Sequence, residues 1–361
     1  MTEPTKPSAP ANIDRRRFLR YGAVAGATVA VPSWLLAACG SPSSSPSGSA
    51  GGTADNIVSI KATHGTGLCN LGIFLAKERE LGKADGISLD FVVTPSNADI
   101  ATLFGAGQVE ASLIPYSNFM TLYDAGAPVK IVAGGGVQGC VVVAQPGINS
   151  AADLRGKTLG TFQADTLEVL PYDYLKKNGM SFKDVKVTYF GTSPELAQAF
   201  ISGAIDSMSH IEPYATQALK ARKGAVKLTD GTDIYGKGYT DCVLAVQTKL
   251  LEDKPHAVKA LIKALLTAQH QAEQDRPSAV KATVGKYYKA SYADVLDAST
   301  KQPNVVDQRG RSQFILDRGQ VMKDLGYIKK LPSMDVFSYD LLQQVITENK
   351  DLYDSLVLKS V

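Results

Sequence analysis

The chain has 361 residues, of which 44% are hydrophobic and 20% charged, with a formal net charge of +3. That is enough apolar material for two ordinary domains or one large one, and it argues against a disordered or fibrous chain. The near balance of 38 basic and 35 acidic residues leaves no basic footprint for nucleic acid, and four cysteines are too few for a disulfide-stapled scaffold.

The chain opens on an address. Asp14-Arg15-Arg16-Arg17-Phe18-Leu19-Arg20 is a basic block, and the apolar run 21–38 after it is broken by Pro32 and several glycines. This order reads as a secretion signal, with an uncleaved membrane anchor as the alternative. The block around Arg16 and Arg17 resembles the twin-arginine export motif, and Leu36-Ala37-Ala38-Cys39-Gly40 resembles a bacterial lipoprotein box. The resemblance implies a leader over 1–38 and a lipid on Cys39. The five basic and two acidic residues before Cys39 account for the whole positive excess. Residues 39–55 are mostly Ser, Pro, Gly and Ala and read as a flexible tether.

Next, 56–62 alternates like a strand, 63–68 is a turn-rich loop, and 69–81 has apolar residues at helical spacing. Strands at 87–94 and 109–114 are each followed by a short polar loop and a helix, and 129–133 is again a strand. Repeated strand, loop and helix predict a parallel sheet covered by helices. Gly134-Gly135-Gly136 leads into another extended segment, so it reads as a mobile cleft-edge loop rather than a phosphate cradle. A second series runs through strands at 140–145, 158–162, 185–190, 204–208 and 226–228, with helices at 166–177, 194–202 and 213–222. Two extended crossings, 139–144 and 241–246, join the two series and suggest a hinge. From 254 onward the pattern is helical, at 255–274, 278–289, 312–325 and 339–352.

The segments Asp153-Leu154-Arg155-Gly156-Lys157, Ala199-Phe200-Ile201-Ser202-Gly203, Ile211-Glu212-Pro213-Tyr214-Ala215 and Phe104-Gly105-Ala106-Gly107 carry a family likeness. The body resembles the solute-binding proteins of bacterial ABC importers, in the nitrate/sulfonate/taurine and thiamine-precursor branch. The resemblance implies an α/β, two-lobed periplasmic-binding-protein fold of type II, with two hinge strands and a helical C-terminal part. Lobe 1 is expected over 56–139 plus 245–361 and lobe 2 over 140–244. The implied function is an extracytoplasmic receptor, lipid-anchored to a bacterial membrane through Cys39. It captures a small organic solute, sulfonate- or taurine-like, and delivers it to a permease and its ATPase subunit. A monomer with no cofactor, no nucleic-acid partner and no enzymatic activity is expected. The alternatives are a thiamine-precursor pyrimidine binder, a metal- or cofactor-binding receptor, or an enzyme on the same fold.

In parallel α/β sheets ligands sit beyond the carboxyl ends of the strands, where helix N-termini suit an anion. That selects Thr63, His64, Gly65, Thr66 and Cys69 in the first loop, then Ser96 and Asn97, then Tyr116, Ser117 and Asn118. Gln163 and Thr166 come from the second lobe, and Gln138, His210, Glu212 and Asp241 complete the set. The hydroxyls among them can equally cap their helices. Glu212 can meet an amine or complement a helix dipole. No Arg or Lys in these loops neutralises an anion, so an uncharged or zwitterionic solute stays open. His256 and His270 are expected to face solvent. Cys69 opens a helix, where the dipole would lower its thiol pKa. Cys140 and Cys242 occupy matching places on the crossings: separate apolar fillers, a disulfide, or, with Cys69 and His64, a soft-metal site. No GxSxG, HExxH or phosphate-loop motif is present.

Overall fold

The computed structural model describes residues 57–94 and 97–361; the segments expected to be leader and tether, with Cys39, and also Pro95 and Ser96 lie outside them. Ten strands follow in chain order: β1 (Val58–His64), β2 (Ile87–Phe91), β3 (Ala111–Pro115), β4 (Val129–Gly134), β5 (Cys140–Ala144), β6 (Thr158–Thr161), β7 (Lys186–Tyr189), β8 (Ser207–Ile211), β9 (Val226–Thr229) and β10 (Cys242–Gln247). They build two five-stranded sheets, ordered β2-β1-β3-β10-β4 and β7-β6-β8-β5-β9.

The sheets are mixed rather than purely parallel. β1 runs parallel to β2 and β3, and β6 runs parallel to β7 and β8. β10 runs antiparallel to β3 and β4, and β5 antiparallel to β8 and β9. The antiparallel strands are the ones that enter each sheet from a crossing, so each lobe receives its crossing strand head-on. The return crossing also ends earlier than the sequence suggested: the whole of β10, from Cys242, belongs to the first sheet.

Central strands are apolar on both faces because helices cover both. In β10, Leu244 and Val246 join one core with Ile73, Phe74 and Leu261, while Val243 and Ala245 join the opposite core with Phe119, Met120 and Met322. This is the pattern of a strand buried on both sides. The long helix Pro255–Gln274 starts on a proline, whose missing N–H is no loss at that position, and packs against the helix Leu71–Glu78. The helix expected over 278–289 is shorter, Arg276–Thr283, and Gly285 follows it at φ +82°.

The triple glycine is not a mobile loop. Gly135 N–H donates to Cys242 O, and Gly136 O accepts from Cys242 N–H at 3.0 Å. A Cβ on Gly136 would stand 2.3 Å from Cys69 Cβ. These glycines are where the crossing passes against the first cleft helix. Among the described residues, no helix is long and apolar enough to cross a membrane.

Candidate functional site

The carboxyl ends of β1, β3 and β6 and the start of β10 meet at one edge, where the two sheets face each other. A small cavity of about 40 Å³ lies there. The first lobe lines it with Gly65, Thr66, Gly67, Cys69, Asn70, Ile100, Pro115 and Asn118. The second lobe contributes Asp165, Thr166, Leu167, Ser193 and Ile211, and the return crossing supplies Asp241 and Cys242. Hydrogen bonds cross the gap. Thr66 Oγ1 donates to Ser193 Oγ at 2.8 Å, Thr166 Oγ1 to Asp241 Oδ1 at 2.8 Å, and Leu68 N–H to Glu212 O at 2.9 Å.

Asp241 is the centre of this wall. Its Oδ1 accepts from Thr166 and from the Cys140 thiol at 3.4 Å; its Oδ2 accepts from the Cys242 thiol at 3.3 Å and from Gln302 Nε2 at 2.9 Å. Burial raises its carboxyl above the usual carboxylate range, against the pull of these donors. Asp165 caps the helix Thr166–Lys177 by accepting from Leu167 N–H at 3.0 Å. Burial also pushes its carboxyl up to about 7, and Asp241 nearby adds to the rise. Among the described residues, no lysine or arginine lines the cavity. Asn70 is buried, and its Oδ1 has no hydrogen-bond partner among the described residues.

The three described cysteines are free and buried. Of the alternatives for Cys140 and Cys242, the disulfide is not formed: the two thiols point to different oxygens of Asp241. Nor is Cys69 an activated thiol. Burial outweighs any helix dipole and pushes it up to about 11, and Cys140 and Cys242 are raised in the same way.

Of the residues selected from sequence, Gly65, Thr66, Cys69, Asn118, Thr166 and Asp241 line the cavity. Others do not. Thr63 is fully buried in β1 and donates to Val92 O. His64 packs edge-on to Phe74, Phe91 and Tyr287, in an aromatic nest whose burial lowers its pKa. Tyr116 and Ser117 are buried in the first turn of the helix Tyr116–Asp124. Gln163 is exposed. Ser96 lies outside the described residues, and Asn97 opens the helix Asn97–Gly105.

Gln138 and Glu212 border a different hollow of about 440 Å³, together with Lys227 and Lys301. Glu212 accepts from Thr216 N–H and Oγ1, which answers the first turn of the helix Tyr214–Ala221, and burial raises its carboxyl. His210 is fully buried and stands outside the cavity lining. Its Nδ1 accepts from Ile211 N–H, so its Nε2–H donates to Ser193 O, and burial lowers its pKa to about 4. Of the two C-terminal histidines, His256 is exposed, while His270 is half-buried with Nδ1 3.1 Å from Ser355 Oγ.

The sequence reading missed Asn70, Asp165 and Ser193. Each stands at or next to a helix start, where a polar residue reads as a cap. Asn70 follows the first selected loop and Asp165 stands between Gln163 and Thr166, so a signal existed for those two; Ser193 adjoins none of the selected segments.

A family model described as "NMT1/THI5 like" matches residues 70–278. A protein of Brucella abortus, named only as a binding protein, is 27% identical over 197 residues; the match spans 54% of this chain and 60% of the relative's length. In structure, the ligand-binding component of an ABC-type import system from Staphylococcus aureus, solved with zinc bound, aligns at TM-score 0.69 and 17% identity, over 80% of this chain and 98% of that one. The periplasmic aliphatic sulphonate binding protein SsuA of Escherichia coli aligns at TM-score 0.65 and 17% identity, over 79% of this chain and 96% of that one. The desulfurization enzyme DSZB shares the fold at TM-score 0.60 and 15% identity, over 80% and 99% of the two chains. These likenesses establish the two-lobed periplasmic-binding-protein fold, and they also show that the fold carries both receptors and an enzyme. The family model covers more than half of the residues, and the chain belongs to the NMT1/THI5-like family.

Proposed function

We propose that the protein is the solute receptor of an ABC importer, held outside the cytoplasm by a lipid on Cys39, and that it hands its solute to a permease. The observation that carries this reading is the cavity between the sheets, lined from both lobes and bridged by hydrogen bonds across the gap. Ligand bound there adds contacts to both lobes at once, which is how domain closure couples to capture. At about 40 Å³ the cavity is too small for an organic solute in this closed form, so the lobes must part for entry.

The lining argues against a sulfonate or nitrate. Helix N-termini supply partial positive charge of about half a unit, but Asp165 already answers the one at Leu167, and Asp241 adds a second carboxyl with no Arg or Lys beside it. The unpartnered Asn70 Oδ1 adds an acceptor. Acceptors of this kind favour a solute that brings N–H donors or positive charge, such as an amine-bearing pyrimidine. An enzymatic reading finds no support here: Cys69 is held protonated, and neither His64 nor His210 lines the cavity to serve it as a base.

A thermal-shift panel tests the assignment, comparing aminomethylpyrimidines and diamines with alkanesulfonates, taurine and nitrate. A true solute at about 100 times its Kd stabilises by roughly 2.7 kcal/mol, several degrees for a protein of this size. Shifts are expected from the amine-bearing compounds. A shift from sulfonates or nitrate alone overturns the charge argument, and no shift from any compound overturns the solute class.

A further inference from the structure

Two of the buried thiols and the central carboxylate form a set that solute capture does not explain. One ligand atom each from Cys69, Asp241 and Cys242 lies within 4.8 Å of the others. The three come from two places: Cys69 from the turn before the first cleft helix, and the adjacent Asp241 and Cys242 from the return crossing, where β10 begins. All three line the cavity. We propose that Cys69, Cys242 and Asp241 form a binding site for a thiophilic divalent cation of the Zn²⁺ class. The proposal deepens the receptor reading, since it places the cation in the same cleft.

Four observations carry it. First, ligand chemistry: two sulfurs and one carboxylate oxygen are a donor set that suits Zn²⁺, and three protein ligands leave one tetrahedral position for water or a solute donor. Second, geometry: Zn–S bonds of about 2.3 Å put ligand atoms roughly 3.5–3.8 Å apart, so from separations within 4.8 Å the set needs to close by about 1.3 Å at most. The Cys242 Sγ–Asp241 Oδ2 separation is already 3.3 Å. Third, outer partners: Asn70 Nδ2 donates to Cys69 Sγ at 3.2 Å, and Gln302 Nε2 donates to Asp241 Oδ2 at 2.9 Å. Donors aimed at the ligand atoms hold them in place and favour anionic sulfur. Gly136, with no room for a Cβ, presses against Cys69 from behind. Fourth, electrostatics: the wall carries carboxyls and thiols with no Lys or Arg in the lining, so it lacks a countercharge that a bound cation supplies.

The balance is simple. Zn²⁺ enters and the two S–H protons leave to solvent. Two thiolates and one carboxylate on the dication leave a net charge of −1. The Cys69 and Cys242 thiols, held protonated without metal, become ligands only through this exchange, so binding weakens as pH falls.

The reduced full chain is titrated with Co²⁺ and then with Zn²⁺. One equivalent of Co²⁺ is expected, with an intense near-ultraviolet thiolate-to-cobalt absorption that Zn²⁺ abolishes. Cys69→Ser and Cys242→Ser should lose that absorption, Asp241→Asn should weaken binding more than about tenfold, and Cys140→Ser should keep one equivalent. If the serine variants fail to fold, X-ray absorption on the wild-type Zn²⁺ complex decides, with two sulfur neighbours expected. Less than half an equivalent of Co²⁺, an unchanged spectrum in the cysteine variants, or fewer than two sulfur neighbours overturns the site. So does a Cys69–Cys242 disulfide in the isolated protein that binds no Co²⁺ after reduction. The organic-solute panel repeated on chelator-treated protein separates the two readings. Solute binding with no metal binding ends this proposal and leaves the receptor; metal binding with no solute binding does the reverse.

Discussion

Asp165 shows how a single buried carboxyl can make the cleft sensitive to pH. Its folded-state pKa of about 7 lies above the value near 3.9 expected for the unfolded chain. Between those values the folded protein holds a proton that the unfolded chain has released. Its contribution to stability is therefore complete below about pH 4 and is lost as pH rises through 7. Asp165→Asn, which keeps a cap acceptor but cannot ionise, should match wild type at pH 4 in urea unfolding. At pH 8 it should exceed wild type by roughly 1–4 kcal/mol. A cationic solute competes with the same proton, so its affinity should tighten by up to about tenfold per pH unit below 7 and level off above. A pH-independent Kd measured by calorimetry would count against that solute class. Gly136 shows a tighter constraint. Its missing Cβ is the space Cys69 occupies, so Gly136→Ala should cost about 1–3 kcal/mol in urea unfolding. The cysteines and Asp241 stood out in the sequence, but their arrangement did not. Which sulfur faces which oxygen depends on contacts between residues 69, 140 and 242, and no local pattern encodes such contacts. His64 was misplaced for a related reason: a histidine after a strand reads as polar, yet three aromatic rings surround it here.

At the scale of elements, the readable parts were those with a strong period. The apolar runs of β3, β5 and β10 announced buried strands, and Pro255 announced the long helix. β8 was read three residues early, over 204–208 instead of Ser207–Ile211. Its sequence Ser-Met-Ser-His-Ile looks half polar, but every residue is buried, Ser207 Oγ donating to Thr158 O and His210 to Ser193 O. Hydrogen-bonded burial of polar groups removes the alternation on which strand reading depends. The direction of β5 and β10 was equally illegible, because a crossing strand gives no local sign of which neighbour it will meet. Burial on both faces has a measurable consequence for β10. Leu244→Ala should cost about 2–5 kcal/mol from one core. Val243→Thr, on the other face, should also cost about 1–3 kcal/mol, because its hydroxyl would be buried without a designed partner. A strand with one wet face would tolerate one of the two, so a neutral Val243→Thr in chemical denaturation would contradict the two-faced packing.

For the whole molecule, the question is what holds the lobes together. Away from the cavity, the helix Thr166–Lys177 of the second lobe is tied to the C-terminal part of the first. Arg318 Nη1 pairs with Asp173 Oδ2 at 2.5 Å, and its guanidinium lies 5.3 Å from the ring of Tyr235 and 5.6 Å from that of Phe314. Nearby, Tyr327 and Tyr189 both donate to Glu168 Oε1, at 3.0 and 2.5 Å. Both ties start from the helix that also carries Thr166 into the cavity, so they favour the same closed arrangement that solute contacts favour. The Arg318–Asp173 pair is mostly buried, with 22% and 10% of the side chains exposed, so it is worth more than a surface ion pair and is screened less by salt. If it contributes roughly 1–3 kcal/mol to closure, Arg318→Ala shifts the balance between open and closed forms by about 5- to 150-fold. Solute affinity should weaken by up to that factor, because the free protein would have to close at its own cost. Small-angle scattering should show a larger radius for the free variant and convergence with wild type at saturating solute. Tyr327→Phe, which removes the hydroxyl that donates to Glu168 at the second tie, should do the same more weakly. Because both ties act through one closing motion, the double variant should be non-additive once either change alone has opened the free protein. Equal radii and equal Kd in wild type and Arg318→Ala would mean that closure is set at the cavity wall and crossings alone, with the outer ties only following it.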